Sequence, residues 1–209
     1  MRGGRYVVRV QDLRPIPDEI PRLAAGVVRS LRDSLDELAA ALAGKPTRFP
    51  IFESLALFAQ RARKAIASMT DEAQAFLEEL QPYHTIGGYG NGPLWILQQL
   101  DVADPPSRVA ACVRDGAMGV NTQRDVSVVS DVHFAAGPVA DGDIVAWVST
   151  RIAGSDPKLD MFLQVDLGLT YANQSLGKNR EVTALLAELC DHVEHTVFGA
   201  LEPTLASGR

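Results

Sequence analysis

The sequence predicts an α+β fold: a helical N-terminal part of about four helices after one short strand, then a small antiparallel sheet covered by a C-terminal helix. Apolar residues recur at three- and four-residue steps through the N-terminal half, and beyond Pro105 and Pro106 the period shortens to two. The short turn-forming segments "VADGD" and "AGSDP" separate the alternating runs, which favours an antiparallel meander over parallel crossovers. The expected organisation is a strand and helical bundle over residues 1–104 and a sheet with its closing helix over 107–205, sharing one core.

Each element has a local reason. "RYVVRV", residues 5–10, reads as a strand that stops before "RPIP". The first helix places Ile20, Leu23, Ala24, Val27, Leu31, Leu35, Leu38 and Leu42 on one stripe. Asp18 and Glu19 suit its positive end, and Gly44 suits its stop. "RFPIF", residues 48–52, makes an extended crossing, because Phe49 precedes a proline and is biased away from helix. A second helix runs from about Ser54 to Met69, and a third follows Thr70, with Asp71 and Glu72 in its first turn. After the "GGYGNG" loop, Pro93 opens a fourth helix carrying Leu94, Trp95, Leu97 and Leu100, which "DPP" ends.

The strands expected next are "RVAACVR", "RDVSVVSDVHF", "DIVAWVSTRI" and "MFLQVDLGLTY". The last alternates cleanly, with Met161, Leu163, Val165, Leu167, Leu169 and Tyr171 on one face. A closing helix from about Asn179 to Leu201 carries Val182, Leu185, Leu189, Val193 and Val197 on the stripe that should cover the sheet.

Charge and cysteine usage limit the functional classes. Residues 1–64 hold 12 Lys/Arg against 7 Asp/Glu, a net +5, and the remainder holds 8 against 19, a net −11. The acidic remainder disfavours general nucleic-acid binding, while the N-terminal third can still present an arginine-rich patch. Cys112 and Cys190 lie far apart in apolar surroundings, so neither a disulfide framework nor a thiolate zinc site is expected, and a reducing, cytoplasmic setting follows. No apolar run reaches the roughly 18 residues of a membrane span.

Three clusters are candidates for chemistry. In "SLRDSLDEL", Arg32 and Asp36 stand one helical turn apart on the flank of the apolar stripe, where an arginine can bury its stem and pair its head. The bland account is a structural ion pair. "GGYGNG" follows a helix and lacks the G-K-[ST] ending of a phosphate loop, so it reads as a connector. In "ELCDHVEH", Glu188, His192 and His195 fall on one helix flank and form a weak candidate metal set, against the simpler reading of a solvated face. His84 and His133 are isolated, and no cofactor is called for.

"SLRDSLDEL", "RFPIF", "LQPYH" and "PLWILQQLDVADPP" occur in that order over nearly the whole chain. In this the sequence resembles a family of uncharacterised proteins common in actinobacteria and their phages. Its members read roughly N-L-R-S-A-L-D-H-L, F-P-I, L-Q-P-Y and P-L-W-x-L-H-x-L, with D-K-H-R close behind. That family's arginine–histidine step is in turn similar to the HEPN helical bundles, many of which are RNases or toxins that work at a dimer cleft. The resemblance implies Arg32, Asp36, Glu37 and Asp104 as catalytic candidates and Arg32, Asp36, Trp95 and Gln98 as binding positions. It also implies a homodimer paired through the long first helix.

The departures weigh against catalysis. Glu37 and Gln98 stand where the family has histidines, and Pro105, Pro106 and Ser107 follow Asp104 where it has K-H-R. Metal-independent RNA cleavage needs a group that moves a proton near neutral pH, which imidazole does well and an exposed carboxylate does not. The expectation is a non-catalytic interaction protein with a protein partner or itself, RNA being disfavoured; the alternative is a nuclease or nucleotide-handling enzyme with an altered site.

Overall fold

The computed structural model describes residues 5–85, 90, 92–101, 108–120, 129–151, 159–171, 174–175 and 181–201. The fold is α+β, and the chain divides into two compact units: Met1–Asp18 with Arg108–Glu181, and Glu19–Ser107 with Val182–Arg209. This division differs from the expected one. The first strand belongs with the later strands, and the closing helix belongs with the N-terminal helices.

The regular elements described in the first unit are strands. β1 (Arg5–Arg9), β3 (Val129–Phe134) and β5 (Ile144–Thr150) form a three-stranded antiparallel sheet in the order β1-β5-β3. β2 (Arg108–Val120), β4 (Gly137–Pro138), β6 (Leu159–Tyr171) and β7 (Gln174–Ser175) form a second, in the order β4-β2-β6-β7. Every pairing among the described residues is antiparallel, and β3 pairs with its near neighbour β5, but the single meander expected is replaced by two sheets in which β2 with β6 and β1 with β5 are distant in sequence. The β5 strand is central in its sheet, which explains its imperfect alternation: Val145, Ala146 and Val148 are all buried. β1 alternates properly because it is an edge.

A register shift between Val113 and Asp115 interrupts the β2–β6 ladder. Leu169 is buried but Val165 is exposed, so the clean apolar face expected of β6 does not persist along the strand. The side chains of Met161, Leu163 and Tyr171 lie outside the described residues. The "VADGD" turn forms as expected, with Gly142 at φ +85° and Asp143 accepting from the Ala140 amide.

The second unit holds α1 (Glu19–Ala43), α2 (Leu55–Arg61), α3 (Arg63–Ile66), α4 (Asp71–Glu79), a 3-10 turn (Pro82–His84), α5 (Pro93–Asp101) and α6 (Val182–Asp191), which runs into a π-helical turn (His192–Phe198). Gly44 ends α1 at φ +64°, and the Ser68 hydroxyl donates to the Ala43 carbonyl there. Ser54 and Thr70 cap α2 and α4 by accepting from the Leu57 and Ala73 amides. The single helix expected over residues 54–69 is two pieces that meet at Ala62. α6 packs on α1 and α5 within this unit, where Leu185, Leu189 and Val197 are buried.

The buried stripe of α1 differs from the expected one. Ala24, Val28, Arg32, Leu35, Ala39 and Ala43 form it, with Leu38 beside them, while Leu23 is 70% exposed. The helix is apolar around more than half its circumference, so periodicity alone could not choose the phase. The small alanines let neighbouring helices approach, and Arg32, expected on the flank, lies in the middle of the buried face.

Candidate functional site

The Phe49–Pro50 crossing is the organising feature of the helical unit, and the residues that hold it come from three separate segments. Arg32 on α1 is 3% exposed, and its Nη2 donates to the Phe49 carbonyl at 2.7 Å. The same guanidinium pairs with Asp36 at 3.0 Å, and Nη1 reaches Gln98 Oε1 on α5 at 3.3 Å. Asp36 Oδ1 in turn accepts from the Phe49 amide at 2.8 Å. One helical turn of α1 therefore satisfies both backbone groups of Phe49, a residue that α-helical or sheet partners cannot serve.

Gln81 does the same from the other side. Its side chain is buried, its Nε2 donates to the Pro50 and Leu77 carbonyls, and its Oε1 accepts from the Phe52 amide. The "LQPY" and "RFPIF" motifs are thus two halves of one interlock, with the Gln81 amide using both of its donor hydrogens and its oxygen.

Arg48 and Asp101 complete a ladder at the edge. Arg48 is 62% exposed; its Nη2 lies 2.6 Å from Asp101 Oδ2 and its Nε 3.6 Å from Asp36 Oδ2. Asp101 also faces Arg32 Nε at 3.9 Å, too far for a hydrogen bond, and that buried nitrogen has no acceptor. Burial pulls the Arg32 guanidinium below its ordinary pKa, Asp36 and Asp101 oppose this, and Arg48 adds to the depression.

Beside this ladder lies a cleft of about 690 Å³. The crossing supplies Lys45, Arg48 and Phe52 to its lining, and α2 and α3 supply Arg61, Lys64 and Ala65. Arg32 and Gln98 reach its inner end, and the lining contains five Lys or Arg and no Asp or Glu. No histidine lines it.

Of the residues singled out in sequence, the structure brings Arg32, Asp36 and Gln98 together. Glu37 is exposed on α1, and Trp95 is half-buried on α5 without lining the cleft. Asp104 lies outside the described residues, as does most of "GGYGNG". Among the described residues no group of three His, Cys, Asp or Glu can hold a metal, so Glu188, His192 and His195 do not form the set considered. His192 and His195 lie in the π-helical turn, whose i→i+5 bonding departs from the α-helical spacing on which that set was drawn. His195 instead pairs with Asp191 at 3.4 Å, and His192 is half-buried with its pKa lowered, chiefly by burial. His84 is exposed and lies against Tyr83 with the two rings tilted by 48°, and His133 pairs with Asp131.

Sequence reading missed Arg48, Gln81 and Asp101, the partners that make the site. Each stands in a motif already noted, Arg48 in "RFPIF", Gln81 in "LQPYH" and Asp101 in "PLWILQQLDVADPP", but nothing local shows which of them meet. No family model, curated protein or solved structure matches the chain. No helix among the described residues is long and apolar enough to cross a membrane.

Proposed function

We propose that this chain is a non-catalytic binding protein, a degenerate member of the actinobacterial and phage-linked family its motifs resemble, with the basic cleft as its interaction surface. The observation that carries this reading is the state of Arg32. Its Nη groups are spent on the Phe49 carbonyl, Asp36 and Gln98 at 3% exposure, so the guanidinium is a clasp for the crossing and offers no free fork to a phosphoryl group. The motif residues Arg32, Asp36 and Gln81 then act in architecture, and the exposed cations beside them act in binding.

One observation favours the second reading, an altered HEPN-like nuclease. Arg32 and Gln98, at the family's arginine and one of its histidine positions, meet at 3.3 Å although they come from different helices. A histidine at that place would stand beside an arginine, as an RNA-cleaving pair requires, but glutamine cannot exchange a proton near neutral pH. Glu37 is no substitute, being exposed on α1.

Incubation of the purified chain with labelled RNA, with and without EDTA, tests the proposal. The expected result is intact RNA, also for Glu37→His, because restoring one histidine leaves Gln98 and the Pro105–Pro106 departure in place. Cleavage that survives EDTA and disappears in both Arg32→Ala and Glu37→Gln would refute the non-catalytic reading.

A further inference from the structure

We infer that the basic cleft takes a small phosphate monoester that also presents a ring or other apolar surface, about the size of a nucleoside monophosphate. This rests on the binding reading above and names the ligand class of the same cleft.

The lining carries two pairs of exposed cations: Lys45 and Arg48 on the crossing, and Arg61 and Lys64 at the α2–α3 break. A carboxylate offers two oxygens in one plane. A terminal phosphate offers three acceptor oxygens in a pyramid and up to two charges, so it suits a lining of four exposed cations better than a carboxylate does. Pro46, Ile51, Phe52 and Ala65 supply apolar surface between them. The volume of about 690 Å³ lies within the roughly 300–1,000 Å³ of small-ligand sites. An extended polyanion needs a cationic track along its length, whereas these four cations line one cleft of small-ligand size.

Arg48 has a competitor, since it already holds Asp101 at 2.6 Å. The orphaned Arg32 Nε removes that obstacle. It lies 3.9 Å from the same Asp101 oxygen, so a phosphate that draws Arg48 away frees Asp101 to close on Nε. One hydrogen bond replaces another, and neither buried group is left without a partner. Arg61 and Lys64 have no carboxylate partner among the described residues, so they supply the larger share of the affinity.

Calorimetric titration of the full chain with AMP, adenosine, inorganic phosphate and a single-stranded RNA decamer lacking a 5′-phosphate tests this. AMP should bind saturably, with adenosine and inorganic phosphate each weaker by at least about tenfold, because each lacks half of the recognised groups. Replacing Arg61 and Lys64 together by alanine should weaken AMP by at least about tenfold and leave the thermal unfolding curve unchanged, both side chains being exposed. The inference is overturned if AMP fails to saturate by about 10 mM, if the double variant binds as the wild type does, or if the RNA binds tighter than AMP. Chromatography of the nucleotides after titration separates the two claims. Products alongside saturable, Arg61- and Lys64-dependent binding would sink the non-catalytic reading and uphold the site; intact AMP without binding would sink the site alone.

Discussion

Replacing Arg32 by alanine removes the clasp on the Phe49–Pro50 crossing, and its cost can be worked from the geometry. The Phe49 carbonyl, on a residue 1% exposed, loses a 2.7 Å donor; a buried acceptor left unsatisfied costs about 1–3 kcal/mol. Removal of the buried stem leaves a void worth about 1–2 kcal/mol. Asp36 suffers less, since its side chain is 32% exposed and keeps both the Phe49 amide and Arg48, so about 0.5–1 kcal/mol suffices. The sum is about 2.5–6 kcal/mol, a large part of a typical domain's stability. Trp95 lies on α5 in the helical unit and Trp147 on β5 in the other, so urea unfolding followed by Trp95 fluorescence in a Trp147→Phe background reports the correct unit. Arg32→Lys serves as the control: it keeps the charge, loses the fork, and should cost about 1–2 kcal/mol. If Arg32→Ala unfolds within about 0.5 kcal/mol of its parent, the crossing does not depend on the clasp and the architectural account of the motif is wrong.

The other expectations are shorter. Gln81→Ala should cost the helical unit about 2–4 kcal/mol in the same assay, since the Phe52 amide and the Pro50 and Leu77 carbonyls all lose a partner. His192 is held below its ordinary pKa by burial, so between its folded pKa and about 6.5 the unfolded chain binds more protons than the folded one. Stability should therefore rise with pH through that window and fall on acidification; urea midpoints from pH 5 to 7.5 should show a shallower acid-side fall in His192→Gln. The homodimer expected through α1 is proposed to use the face that carries Leu23, Val27 and Leu31, of which Leu23 is 70% exposed. Light scattering should give about twice 22.5 kDa at tens of micromolar, and Leu23→Glu should return it to the monomer.

The fold class was legible because it depends on local period. The change from 3.6 to 2 after Pro105 and Pro106 marks the start of the strands, and Gly44, Ser54 and Thr70 mark helix ends by their own backbone and capping chemistry. Pairing was not legible. β1 lies against β5 and β2 against β6, and nothing local in "RYVVRV" distinguishes one possible neighbour from another. The phase of α1 failed for a related reason. Leu23 and Leu31 look better buried than Arg32, and only partners far along the chain, Phe49, Gln98 and Asp101, make the reverse arrangement favourable.

The same distinction governs how the motif should be understood. A spacing such as Arg32 to Asp36 shows that two groups share a helix face, but not what stands opposite them. Opposite them stands a backbone segment broken by Pro50, whose amides and carbonyls would be unpaired without help. Three segments that resemblance joins into one pattern, "SLRDSLDEL", "RFPIF" and "LQPY", each contribute to pairing that backbone. Such a pattern needs no catalysis to account for it, because the crossing must be held in any case. Chemistry in this helical unit therefore has to be sought among residues that the crossing does not consume. Lys45, Arg61 and Lys64 are such residues: they line the cleft, are exposed, and take no part in the interlock.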